Sequence, residues 1–246
     1  MTTEQPVALV TGGARRIGAA IVRELHQEGY RVLVHCRHSI QDAQALCEQL
    51  NHERPDTAKV VVGDLNDADA IASLAASVLN SFGRLDSLIN NASVFYPTPV
   101  GEATLEHWDD LFASNARAPF FLSQALAPAL TKSRGCIVNI ADIHAEKPLK
   151  NYTIYCMAKA ANQMLTRSLA RELAPAVRVN SVAPGAIMWP ENEAEMDADD
   201  QLQIIDRTPM KRPGHPDNIA QTVLYLLQND FINGQIIAVD GGRSLT

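Results

Sequence analysis

The sequence predicts an α/β fold in which a parallel sheet is covered by helices on both faces. Two observations carry that expectation. Short apolar runs alternate with helical segments along the whole chain. The first run also ends in a glycine-rich turn that opens a helix, which makes it the start of a strand–turn–helix unit.

Taken in order, Val7–Val10 is the first strand. The glycines of Thr11-Gly12-Gly13-Ala14-Arg15-Arg16-Ile17-Gly18 allow a tight turn, and Arg16–Glu28 then carries helical periodicity. Arg31–Val34 and Val60–Val62 are the next strands and Asp67–Ser81 the next helix. Leu85–Ile89 is a fourth strand, followed by a long helix over Trp108–Leu130. Cys136–Ile140 leads into a second long helix, Tyr155–Leu173, and Val177–Val182 and Gln235–Val239 complete the strands. A length of 246 residues suits one large domain as well as two small ones. With no repeat or low-complexity linker to divide it, the chain is read as a single domain over 1–246. The one shift in composition is Glu191–Asp200, where six of ten residues are acidic. Charge patterning reads it as a solvated helix or loop. The sharper alternative is a lid over a pocket, within a substrate loop of about 186–212.

Apolar residues make up 46% of the chain and charged residues 20%, which fits a globular protein with a substantial core. Lysine and arginine (21) against aspartate and glutamate (28) leave a net charge of −7, a balance that argues against nucleic acid and anionic membrane surfaces. No apolar run approaches the roughly 18 residues of a membrane helix, and no signal peptide is visible at the N-terminus. The expected location is cytoplasmic. Cys36, Cys47, Cys136 and Cys156 lack metal-type spacing and are expected to be free thiols.

Glycines after a strand and at a helix start bring backbone N–H groups and the positive helix end toward a pyrophosphate. Alone, such a loop is weak; its place on the first strand–helix unit strengthens it. Arg16 stands where a third glycine would be expected, and its guanidinium suits a pyrophosphate or an anionic, planar substrate edge. The second strand ends in His35-Cys36-Arg37-His38-Ser39. An NAD-preferring site would place Asp or Glu there; Arg37, His38 and Ser39 suit a 2′-phosphate, so the expected cofactor is NADPH/NADP. No third ligand accompanies His35 and His38, and no metal is expected. Arg15 is read equally as a phosphate contact or a solvated side chain.

Tyr155 and Lys159 lie four apart on a helix and so share one face. An ammonium beside a phenol is expected to lower the phenol's pKa toward working pH. Asp142, thirteen residues before Tyr155, adds a carboxyl that accepts or donates according to its protonation. A helix N-cap or turn aspartate is its alternative reading.

The ordered set Thr11-Gly12-x-x-x-Arg16-x-Gly18, Asp64, Asn90-Asn91-Ala92-Ser93, Asn115, Tyr155-x-x-x-Lys159, Pro184-Gly185 and Val239-Asp240-Gly241-Gly242 resembles the short-chain dehydrogenase/reductase family. That resemblance implies a Rossmann-type, three-layer fold with about seven parallel strands and NAD(P)(H) at the strands' C-terminal ends. The chain departs from the usual family pattern at Arg16, at Ser93 (a glycine in most members) and at Asp142 (a serine in most members). All three departures resemble the pteridine reductases, as does Asn90-Asn91-Ala92-Ser93-Val94-Phe95-Tyr96-Pro97.

What this resemblance implies is a catalytic set of Asp142, Tyr155 and Lys159. Lys159 would bind the nicotinamide ribose, and Tyr155 with Asp142 would deliver a proton to a pterin ring nitrogen. Arg16, Ile17, Arg37, His38, Ser39, Asp64, Leu65, Asn91, Ala92, Ser93, Pro184 and Gly185 would join Tyr155 and Lys159 around the cofactor. Arg16, Ser93, Phe95 (as an aromatic plate), Asp142, Tyr155 and Trp189 would face the substrate, and Asn115 would hold a helix kink. The implied function is NADPH-dependent reduction of dihydropterins such as dihydrobiopterin or dihydromonapterin, with dihydrofolate as a further substrate. A carbonyl reductase acting on 3-oxoacyl thioesters or sugars is the alternative enzyme, and a non-catalytic NADP-sensing protein the alternative of another class. A homotetramer packed through the two long helices is also implied.

Overall fold

The computed structural model describes residues 5–189 and 197–246. Seven strands form one parallel sheet: β1 (Val7–Val10), β2 (Arg31–Cys36), β3 (Ala58–Val62), β4 (Ser87–Asn90), β5 (Cys136–Ile140), β6 (Arg178–Pro184) and β7 (Ile236–Val239). Their order is β3-β2-β1-β4-β5-β6-β7, so the winding reverses between β1 and β4. A parallel sheet wound this way leaves a crevice beyond the strand ends at the reversal.

Successive strand residues point to opposite faces, and the two faces carry separate cores. Ala8, Val10, Val32, Val34 and Val138 pack against Ile21 and Leu25 of α1 (Arg16–Gln27), Leu46 and Leu50 of α2 (Ile40–Glu53), and Ile219 and Val223 of α8 (Pro216–Gln228). Val7, Leu9, Leu33 and Ile137 pack against Leu74 and Val78 of α3 (Ala68–Phe82), Leu122 and Leu126 of α5 (Ala118–Ser133), and Leu169 of α6 (Thr153–Glu172). The expected three-layer Rossmann-type α/β fold is present.

One expected helix is interrupted. The long periodic stretch Trp108–Leu130 divides into α4 (Leu105–Phe112), a π-turn over Ala113–Arg117, and α5. Pro119 has no N–H to give to the carbonyl of Asn115 four residues back. Asn162 on α6 supplies the missing donor, its Nδ2 lying 2.9 Å from that oxygen. The Asn115 amide meanwhile donates to the carbonyls of Leu111 and Val94, at 2.9 Å each. Side chains thus replace ladder bonds, and the helix takes up a wider turn there.

The acidic run Glu191–Asp200 falls outside the described residues as far as Met196. Its last four residues cap and begin α7 (Ala198–Arg207), where Asp197 accepts a 2.8 Å hydrogen bond from the Asp200 N–H. Carboxylates in a first turn complement the positive helix end. All four cysteines are free and buried. Burial raises each thiol's pKa, to about 12 for Cys47 and about 11 for Cys136. No helix among the described residues is long and apolar enough to cross a membrane.

His35 ties the first turn to the third strand. Its Nδ1 accepts from the Gly12 N–H at 3.2 Å, which places the ring proton on Nε2, 3.2 Å from the Gly63 carbonyl. Burial holds its pKa down to about 4 against an ordinary 6.5. Between those values an unfolded chain binds a proton that the folded chain does not, so stability falls as pH drops from 6.5 to 4 and levels off below. Between pH 6.5 and 4 the urea-derived unfolding free energy of wild type should fall by about 3 kcal/mol more than that of His35→Gln. Parallel pH profiles for the two proteins would show that His35 carries no such load.

Candidate active site

The crevice is built on a close approach between two loops. Asn91, just past β4, donates its side-chain amide to the carbonyls of Thr11 (2.8 Å) and Gly12 (3.1 Å). The Thr11 hydroxyl oxygen accepts from the N–H groups of Asn91 (2.9 Å) and Ala92 (3.0 Å). Gly12 has φ +60, and a Cβ there would lie 3.1 Å from the Ala92 Cα. At Gly18 a Cβ would collide with the Gly12 carbonyl oxygen. The glycines are what let the first turn and the β4 loop meet.

Two cavities open side by side along this seam. One, of about 370 Å³, is lined by Arg15, Arg16, Ile17, Arg37, Asp64, Leu65, Asn91, Ala92 and Ser93, with Gly12 and Gly18 at its base. The other, of about 430 Å³, is lined by Arg16, Ile17, Asn91, Ser93, Phe95, Asp142, Tyr155, Lys159, Pro184, Gly185 and Trp189. Arg16, Ile17, Asn91 and Ser93 belong to both, so the two form one crevice. Most of the residues expected around cofactor and substrate therefore come together. His38 and Ser39 do not line either cavity: they follow Arg37 at the start of α2, where Ser39 occupies the N-cap position without a side-chain cap. His35 lines the smaller cavity, but both its ring nitrogens are engaged as described above.

Asp142 makes two contacts, one with each oxygen. Oδ1 caps the short 3₁₀ turn Ile143–Ala145 by accepting from the His144 N–H at 2.8 Å. Oδ2 accepts from the Tyr155 hydroxyl at 2.7 Å. The cap fixes the carboxyl, and the fixed carboxyl aims the phenol. Lys159, one turn along α6, donates to the Ile140 carbonyl at 3.0 Å, with its Nζ 5.7 Å from the Tyr155 ring centre.

The electrostatics correct one expectation. Lys159 was expected to depress the Tyr155 pKa, yet the phenol is pushed well above 10, by burial first and then by the Asp142 carboxylate. Tyr155 is 4% exposed and Lys159 2% exposed. Burial also brings Lys159 down to about 8, with Asp142 pulling the other way. Removing solvent penalises phenolate and ammonium alike, and that outweighs their mutual attraction here.

Asn115 sits in the π-turn as expected and accepts from the Ser93 hydroxyl at 2.7 Å. Phe95 lines the larger cavity, one face stacked on Tyr152 at 4.5 Å and 15° and its ring edge-on to Tyr155 at 4.8 Å. Tyr152, His144, Leu149, Met188, Ile204 and Arg243 were not foreseen at or beside the site. Tyr152 could have been suspected from its place three residues before Tyr155; Arg243 arrives from the far end of the chain with no local signal. Arg37 reaches the smaller cavity and pairs with Asp64 at 3.0 Å. Arg15 pairs with Asp42 through its Nε at 2.7 Å. Gly185 packs so closely on Asp240 that a Cβ would lie 2.6 Å from the Asp240 Cβ.

The crevice fits the dinucleotide that the glycine turn implies. Its turn is shaped by glycines whose Cβ atoms would jam it, and cationic Arg15, Arg16 and Arg37 line the smaller cavity, as a phosphate-rich ligand needs. Arg16 and Ile17 would hold the pyrophosphate side and Lys159 the ribose near Tyr155. No group of residues suited to a metal ion occurs among the described residues.

Arg16 is the strained member of this set. Its φ of +52 belongs to the left-handed region, and its Nη2 donates to the Trp189 carbonyl at 2.7 Å, bridging the first turn to the substrate side. Arg16→Gly should relieve the strain and remove the bridge. Tm should stay within about 5 °C of wild type, while KM rises for cofactor and substrate alike. A large fall in Tm with unchanged KM would make Arg16 a structural residue.

The comparisons with known proteins agree with this geometry. A family model described as enoyl-(acyl carrier protein) reductase matches residues 12–244. Pteridine reductase 1 of Leishmania tarentolae is 37% identical, over 100% of this chain and 99% of its own. L-xylulose reductase of Bos taurus is 35% identical, over 96% and 95%. A 3-oxoacyl-(acyl-carrier-protein) reductase of Staphylococcus aureus is 33% identical, over 96% of each chain. With a seven-stranded parallel sheet, a glycine-shaped crevice and a buried tyrosine–lysine pair lining it, the chain belongs to the short-chain dehydrogenase/reductase family of nicotinamide-dependent oxidoreductases.

Proposed function

We propose that this protein is an NADPH-dependent pteridine reductase that converts dihydropterins to their tetrahydro forms. The observation that carries the reading is the 2.7 Å hydrogen bond from the Tyr155 hydroxyl to Asp142 Oδ2, inside a cavity walled by Phe95, Arg16 and Trp189. A serine hydroxyl in that position suits a ketone oxygen; a carboxyl suits a nitrogen-rich ring with N–H groups to satisfy. Phe95, with one face already covered by Tyr152, offers the rest of its ring to a planar ligand. Similarity to the Leishmania tarentolae enzyme supports the same reading.

When bound, the dinucleotide supplies a hydride to the substrate carbon. The chain's own part is the matching proton at the adjacent ring nitrogen. Burial keeps Tyr155 protonated across the physiological range, so it enters the reaction as a donor. Asp142, holding that hydroxyl and itself fixed by the His144 N–H, acts with it as one proton-delivering unit. The Lys159 ammonium stabilises the phenolate left behind. Arg37 supports NADPH over NADH, since it brings a cation to the smaller cavity where an acidic residue would mark an NAD site. The segment 186–212 contributes Ile187, Met188, Trp189 and Ile204 to the wall and is the substrate loop of this reading. Exposed Trp108, Phe120 and Phe121 near the π-turn, with Met157 and Met164 on α6, support assembly as a homotetramer through those helices.

NADPH oxidation measured with dihydrobiopterin, dihydromonapterin, L-xylulose and an acetoacetyl thioester should favour the dihydropterins, and NADPH should be preferred to NADH. Turnover of a carbonyl substrate alone would establish the alternative enzyme, and turnover of none the NADP-sensing alternative. Tyr155→Phe should lower kcat by about 10² to 10⁴ while sparing NADPH binding. Asp142→Ser should lower pterin turnover more than cofactor affinity; an equal loss of both would reduce Asp142 to its capping role.

A further inference from the structure

A third cavity, of about 530 Å³, adjoins the substrate site. Lys147, Arg207, Lys211 and Arg243 line it, against the single side-chain carboxylate of Asp206. Arg243 also lines the substrate cavity, so one residue forms part of the wall of both. Its position is set by two contacts: Nη1 donates to the Ile204 carbonyl at 3.0 Å, and its own carbonyl accepts from Lys147 Nζ at 3.1 Å. From the site we propose that this cavity is an anion subsite, taking a carboxylate or phosphate on the side chain of a pterin whose ring lies against Phe95 and Asp142.

The charges favour such an occupant. Asp206 is already paired with Lys211, at 3.1 Å. That leaves Lys147, Arg207 and Arg243 as the net positive set. Arg207 faces Arg243 closely enough to disfavour its charge, second only to burial, while Asp142 and Asp240 act in the opposite sense. Asp240 is itself occupied, accepting from the N–H groups of Gly242 at 2.9 Å and Ser244 at 2.7 Å. Among the described residues no side-chain carboxylate is paired with Arg207. An anion between Arg207 and Arg243 would replace their repulsion with two charge-assisted hydrogen bonds. A neutral side chain would leave it in place.

The inference rests on the pterin reading, and one kinetic comparison separates the two. NADPH-dependent kcat/KM is measured for dihydrobiopterin (uncharged side chain), dihydrofolate (carboxylate tail) and dihydroneopterin monophosphate (phosphate ester). At least one anionic substrate should exceed the neutral one by about ten-fold at low salt, and the margin should shrink at high salt. Which of them does so identifies the source of the charge. Arg207→Gln and Lys147→Gln should each raise KM for the anionic substrate about three- to ten-fold more than for the neutral one. Arg207 is exposed, so its replacement leaves the fold intact, and the salt dependence of wild type is a second readout free of any substitution. Equal turnover of neutral and anionic dihydropterins overturns the subsite and leaves the pterin reading standing. Reduction of no dihydropterin overturns both.

Discussion

The molecule depends on how closely the first turn can approach the loop after β4. Thr11, Gly12 and Asn91 exchange four hydrogen bonds with that loop or across it, three of them involving the Asn91 main or side chain. These bonds lock together the ends of β1 and β4, the two strands between which the winding order reverses. A side chain at Gly12 or Gly18 would push them apart. Everything functional is referenced to that seam: Arg16 and Ile17 leave it on one side, Ser93 and Phe95 on the other. His35 braces it from below by bonding both Gly12 and Gly63.

The Asp142–Tyr155 pair is arranged by a second, smaller constraint. Asp142 lies two residues past β5, in a position where one carboxyl oxygen caps a turn. Its other oxygen is then free in direction but fixed in place, and Tyr155 meets it at 2.7 Å. Tyr155, Lys159 and Asn162 all lie on α6, so one helix carries the phenol that meets Asp142, the ammonium near it and the amide that props open the π-turn. Asn115 within that turn holds Ser93 at the cavity edge. The larger cavity and the helix irregularity are thus a single mechanical unit.

Much of this was legible in the sequence because its signals are local. Strands buried on both faces read as apolar runs, and the glycine turn and the Tyr155–Lys159 spacing lie within a few residues. Signals that depend on distant partners were not legible. The break within Trp108–Leu130 required Asn162 to substitute for the N–H that Pro119 lacks, across 47 residues. Arg16 meets Trp189 over a separation of 173 residues, and Lys147 meets Arg243 over 96. His35 looked like part of a basic segment, whereas burial keeps it neutral and structural. The direction of the Tyr155 shift was misread for the same reason. Spacing reveals a neighbouring charge, but the absence of water around it is a property of the folded whole.

The four cysteines acquire a use from their distribution. Cys36 lies on β2, Cys47 on α2, Cys136 on β5 and Cys156 beside Tyr155 on α6. Each is shielded from solvent and held as the unreactive thiol. A disulfide-exchange reagent can therefore react with them only when the layer around them opens. The rate at which each is labelled would time the breathing of α2, the central sheet and α6 separately, turning ordinary core residues into four built-in clocks.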